Sequence, residues 1–151
     1  MRRPTPCVGI CSTTYGDLVC RGCKRFAHEI VQWNGYTEAQ REEIRQRLRS
    51  LSQGALQRYL SVVDPLQLKK YLALQAPDAN GLGSDEPDLL RAYAALRAEP
   101  ELDASELGLE LHMGFANQGL TGRQALITAV EAEFYARAEA QYEHDFKVPV
   151  R

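Results

Sequence analysis

Apolar residues recur at helical spacing along most of this chain, and the pattern first becomes regular at Lys24. Phe26, Ile30 and Trp33 fall on one stripe, with Ala27 and Val31 widening the same face, so a short helix is predicted from the second of two cysteine pairs to Asn34-Gly35. Thr37 with Gln40 three residues later forms a capping box, in which each side chain satisfies an exposed backbone N–H at a helix start. Ile44, Leu48 and Leu51 then mark a buried face. The stripe continues through Leu56, Tyr59, Leu60 and Val63 to Asp64-Pro65, and Pro65 suits the first position of a helix carrying Leu66, Leu68, Tyr71, Leu72 and Leu74.

Residues 76–87 interrupt the pattern with prolines, glycines, Asp78, Asn80 and Ser84, which reads as an exposed loop or hinge. Pro87 opens a predicted helix with Leu89, Leu90, Tyr93 and Leu96, stopping near Pro100. Asp103 or Ser105 is expected to cap a further helix through Leu107, Leu109, Leu111 and Met113. Thr121 with Gln124 repeats the capping-box spacing, and the Ala-, Glu- and Arg-rich run 125–142 has the strongest helix propensity, with Leu126, Val130, Phe134 and Ala138 on its stripe. No segment shows clear strand alternation. The expected fold is therefore mainly α, with a small cysteine-rich module at 1–50 followed by a helical domain at 51–151.

The first 23 residues differ from the rest: Pro4 and Pro6 favour extended chain, and Gly9, Gly16 and Gly22 lie close to the cysteines. Charge divides in the same place. Residues 1–49 carry nine Lys/Arg against five Asp/Glu, a net of +4, whereas residues 50–151 carry nine against fifteen, a net of −6. The basic end is the cysteine end.

Cys7 and Cys11 have three residues between them, Cys20 and Cys23 have two, and eight residues separate the pairs. Two close pairs are what a four-thiolate centre requires, because a short turn delivers two sulfurs to one point at metal–sulfur distances of about 2.3 Å. Gly9 and Gly22 let backbone N–H groups turn toward the sulfurs. Arg21, Lys24 and Arg25, together with the positive end of the predicted helix, offset thiolate charge. The spacing points to a closed structural site on Cys7, Cys11, Cys20 and Cys23 and favours zinc, with an iron–sulfur cluster as the alternative ion set. Two structural disulfides are the competing use of four cysteines, and His28 is a weaker ligand candidate.

The run Pro6-Cys7-Val8-Gly9-Ile10-Cys11, followed by Cys20-Arg21-Gly22-Cys23-Lys24-Arg25, Glu29-Ile30 and Trp33, resembles the bacterial YdhL-like predicted Fe-S proteins, a domain of unknown function, over residues 4–50. That resemblance implies a cysteine-ligated centre followed by short helices, and its label implies iron and sulfur.

Arg21, Lys24, Arg25, Arg41 and Arg45, with Arg47, Arg49 and nearby aromatics, are candidate contacts to a nucleic acid or a protein partner. Against a nucleic acid stand Glu29, Glu38, Glu42 and Glu43, which dilute the charge, and the need for Phe26 and Trp33 in a small core. His28, His112 and His144 belong to no recognisable catalytic motif, and Cys20-x-x-Cys23 lacks the strand-then-helix setting of a redox pair. The expectation is a non-catalytic adaptor or regulator that binds a protein, with nucleic-acid binding or electron transfer as alternatives. No apolar run reaches the roughly 18 residues needed to span a bilayer, and the N-terminus leads into cysteines instead of an apolar signal core, so a cytoplasmic location without membrane contact is expected.

Overall fold

A computed structural model describes residues 11–75, 86–112 and 119–146. Cys7, Gly9, Met113 and most of the predicted 76–87 loop lie outside the described residues. The protein is mainly α-helical. A 3₁₀ turn at Ser12–Tyr15 precedes α1 (Ala27–Gln32), a second at Trp33–Gly35 leads to α2 (Glu38–Tyr59), and β1 (Leu60–Val62) and α3 (Pro65–Leu74) follow. Then come α4 (Asp88–Ala98), a 3₁₀ turn at Ala104–Leu107, β2 (Leu109–Leu111) and α5 (Gly119–Phe146). Among the described residues no helix is long and apolar enough to cross a membrane.

Local chemistry explains the element boundaries. Thr37 and Gln40 form the reciprocal capping box, with Gln40 Oε1 accepting the Thr37 N–H at 2.8 Å and Thr37 Oγ1 accepting the Gln40 N–H at 3.2 Å. Asp64 caps α3 by accepting the Gln67 N–H at 3.1 Å, with Pro65 in the first turn. α4 buries Leu89, Leu90, Tyr93 and Leu96 as the periodicity predicted, with Pro87 as its N-cap residue. α5 starts at Gly119, so the Thr121/Gln124 spacing falls inside the helix and does not mark its beginning.

Over Leu107–Leu111 the expected helix is replaced by a 3₁₀ turn and a strand. Asp103 caps the turn, Gly108 ends it in the left-handed region at φ 68°, and β2 pairs antiparallel with β1 in the register Leu60↔Leu111, Ser61↔Glu110 and Val62↔Leu109. Leu107, Leu109 and Leu111 recur every two residues, so they cannot all share one helical face. The stripe taken through Val63 likewise breaks at Tyr59, and Val63 is exposed.

The chain divides into two compact units, residues 1–51 with 132–151, and residues 52–131. The second unit has the larger core, with Leu56, Leu96, Leu107, Leu126 and Val130 fully buried. The first unit has a small one, in which Val19, Phe26 and Ala138 are buried and Leu51, Tyr135 and Tyr142 pack against them. Ile44 and Leu48 are buried on α2, whereas Val31, expected on the inner face of α1, points outward.

Candidate metal centre

The second cysteine pair sits in a tight hairpin that precedes α1. Val19 and Phe26 form an antiparallel bridge, the Cys20 N–H donates to the Arg25 carbonyl at 2.9 Å, and the Lys24 N–H donates to the Cys20 carbonyl at 2.8 Å. Lys24 takes the left-handed conformation, φ 63°, which only a few per cent of non-glycine residues adopt. The helix expected from Lys24 therefore begins three residues later, at Ala27, with Phe26 as its N-cap residue. Its first turn is closed by Glu29, whose Oε1 accepts the Phe26 N–H at 2.8 Å.

Polar donors converge on the two sulfurs of this hairpin. The backbone N–H groups of Cys23, Ser12 and Gly22, and the Cys23 side chain, hydrogen-bond to Cys20. Burial alone pushes the Cys20 thiol up, but these bonds outweigh it and bring its pKa down to about 7. Cys23 behaves differently: burial raises its pKa, and the Arg25 guanidinium, whose Nε donates to Cys23 Sγ at 3.2 Å, only partly offsets that. Cys20 and Cys23 are buried.

Ser12 ties the 3₁₀ turn that follows Cys11 to the hairpin. Besides its N–H to Cys20, its Oγ accepts the Arg21 N–H at 2.7 Å, which holds the residue next to Cys11 against the hairpin. Cys11 is half-buried, with its Sγ 2.8 Å from Thr13 Oγ1. No disulfide joins Cys11, Cys20 and Cys23 to one another. Among the described residues, no three His, Cys, Asp or Glu side chains converge on one point. Donor chemistry is what fits a thiolate-bound ion here: N–H groups and a guanidinium aimed at sulfur stabilise its charged form. Ser12 and Thr13 carried no signal in the cysteine spacing.

The basic residues are occupied around this site. Lys24 and Arg25 are buried. Lys24 Nζ donates to the Gly22 carbonyl at 3.0 Å and lies 4.8 Å from the Phe134 ring centroid, and the Arg25 guanidinium lies 4.7 Å from that of Trp33. Arg41 donates from Nε to the Trp33 carbonyl at 3.0 Å, closing the 3₁₀ turn. Arg45 pairs with Glu38 and Glu42, and Arg49 with Glu42, whose pKa is held down first by the Arg49 hydrogen bond. Arg21 is exposed, beside Asp17 at 3.4 Å and 4.7 Å from the Tyr135 ring centroid. His28 is exposed and packs against the rings of Phe26 and Phe146.

Residues 5–51 match the model of a family described as protein of unknown function (DUF1289). The matched segment contains all four cysteines and ends at Leu51. No curated protein and no solved structure matches the chain.

Proposed function

We propose that Cys7, Cys11, Cys20 and Cys23 hold one zinc ion in a closed site that keeps the N-terminal module folded, and that the protein acts by binding a protein partner in the reducing cytoplasm. The carrying observation is the polar setting of the hairpin sulfurs: Arg25 Nε donates to Cys23 Sγ at 3.2 Å, and backbone hydrogen bonds from Ser12, Gly22 and Cys23 bring the Cys20 pKa down to about 7. Such donors favour the charged thiolate over the neutral thiol. When bound to these cysteines, zinc would supply a cross-link within the segment. The chain's own contribution is to aim N–H groups at Cys20, place Arg25 on Cys23 and hold the hairpin shut.

A protein partner is favoured over a nucleic acid because Lys24 and Arg25 are buried and Arg41, Arg45 and Arg49 are held by neighbouring groups. Metal analysis of protein purified with and without air tests the centre. Colourless protein with one zinc per chain supports it, and brown protein with iron and sulfide replaces zinc by the cluster that the YdhL-like resemblance implies. Substitution of Cys20 by Ser is expected to abolish metal binding and unfold the module, since folding and metal binding are one equilibrium in such small sites. A pull-down before and after nuclease treatment tests the partner: nuclease-resistant capture of a defined protein supports the adaptor, whereas nuclease-sensitive capture that weakens with salt supports a nucleic acid.

A further inference from the structure

We infer that the hairpin carrying Cys20 and Cys23 is a docking surface for the chain's own residues 132–146, and that bound metal and docked helix are linked, each tightening the other. This rests on the four-cysteine reading above. The hairpin has two uses for neighbouring residues. Cys20 and Cys23 collect hydrogen bonds at the sulfurs, while Val19 and Phe26, one residue outside the first cysteine and three beyond the second, enter the core with Ala138.

α5 supplies the other half of that core. Tyr135 and Tyr142 pack against it, and Phe26 makes edge contacts with Tyr142 at 5.1 Å and Phe146 at 5.6 Å between ring centroids. The contact extends over the hairpin tip: the Arg21 guanidinium lies 4.7 Å from the Tyr135 ring centroid and Lys24 Nζ 4.8 Å from that of Phe134. Every hairpin residue in this interface is therefore within three positions of Cys20 or Cys23. The matched family segment, residues 5–51, contains this surface but not the helix that covers it.

A hairpin this short does not hold itself. It has one bridge, three backbone hydrogen bonds between its arms and a left-handed lysine, and isolated two-stranded hairpins are at best marginally stable in water. A junction at its sulfurs fixes Val19, Arg21, Lys24 and Phe26 in the arrangement the helix meets. Removing the metal loosens that arrangement and releases 132–146; by linkage, removing the helix contact weakens the metal by the same factor.

Hydrogen exchange on the full chain, zinc-loaded and after chelation with zinc quantified in both, tests this. Expected is a rise in exchange on the order of tenfold or more for peptides within 132–146 on zinc removal, the scale of an ordinary coupling between two sites. Peptides within 122–131, where Leu126 and Val130 are buried in the other unit, are expected to keep their protection. In the reciprocal direction, Tyr142→Ala is expected to speed chelator-driven zinc release on the order of tenfold, while Tyr142→Phe and Arg137→Ala, the latter exposed on the same helix, leave it unchanged. Equal protection of 132–146 with and without zinc overturns the linkage and leaves the metal centre standing, whatever the variant does. Protein that binds no metal in either purification overturns both.

Discussion

The guanidinium of Arg47 holds the buried carboxylate of Glu29 by two hydrogen bonds of 2.6 Å and lies 4.0 Å from the centroid of the Phe26 ring. One side chain of α2 thus fixes the first turn of α1, because Glu29 also accepts the Phe26 N–H. Arg47→Ala leaves that carboxylate buried without its counter-charge and is expected to cost about 3 kcal/mol, at the lower end for a broken buried pair since Arg47 keeps some exposure. Glu29→Gln, which retains an oxygen for the Phe26 N–H, is expected to cost less, about 1–2 kcal/mol. Denaturant midpoints measure both, and equal losses for the two variants would show that the charge is not what matters.

Gly108 makes a second local demand. At φ 68° it sits where side chains are disfavoured, and a Cβ added there would lie 2.4 Å from the Asp64 carbonyl oxygen, which accepts the Leu68 N–H in the first turn of α3. The Gly108 carbonyl in turn accepts the N–H groups of Val63 and Asp64. Gly108→Ala is expected to destabilise by more than the ~1 kcal/mol of a left-handed alanine, because backbone must also move. A thermal midpoint unchanged within a degree would contradict this.

Much of this was legible in the sequence, and the exceptions share a cause. Helices with caps and a stripe, such as the one opened by Thr37 and Gln40 or the one carrying Leu89, Leu90, Tyr93 and Leu96, are local statements that three or four side chains make about their own backbone. The β1–β2 pairing is not local. Each strand has three residues, too few to establish alternation, and the partner lies about fifty positions away. The cysteine pairs announced a site, but the hydrogen bond from Ser12 to Cys20 depends on how two turns meet. The stripe read along α5 ran through Phe134 to Ala138; Tyr142 and Phe146 continue it at the same spacing of four, and Tyr135 widens it beside Ala138. Nothing in the spacing said that these residues would meet Val19 and Phe26.

Tyr93 gives a pH dependence. It is buried on α4 with its hydroxyl 3.1 Å from Glu131 Oε1, and burial, with the Glu131 charge, raises its pKa above the usual range near 10. A folded-state pKa raised above the unfolded value means that the contribution to stability is fully present below about pH 10 and is lost as pH rises beyond it. The protein is therefore expected to lose stability on the alkaline side, and Tyr93→Phe to flatten that slope while costing about 1 kcal/mol at neutral pH for the lost hydrogen bond. Urea midpoints between pH 7 and 11 measure this, and an identical alkaline slope in the variant would rule Tyr93 out as its source.

Trp33, the single tryptophan, is placed to report on the cysteine hairpin. Arg25 connects the two: its Nε donates to Cys23 Sγ at 3.2 Å, and its guanidinium carbon lies 4.7 Å from the Trp33 ring centroid. A buried guanidinium is costly to leave unpaired, so its position follows the state of the sulfur. Metal removal changes the charge on Cys23 and should free Arg25 from it, altering the field at the indole and letting water reach a ring that is already half-exposed. Tryptophan emission is therefore expected to shift to longer wavelength on chelation and to return when zinc is restored. Arg25→Gln, which removes the charge but keeps a hydrogen-bond donor, should bind metal with reduced affinity and show a smaller shift at equal occupancy. An emission spectrum that stays fixed while zinc leaves would mean that Arg25 holds its place through Trp33 and the hairpin backbone alone, independent of what the sulfurs bind.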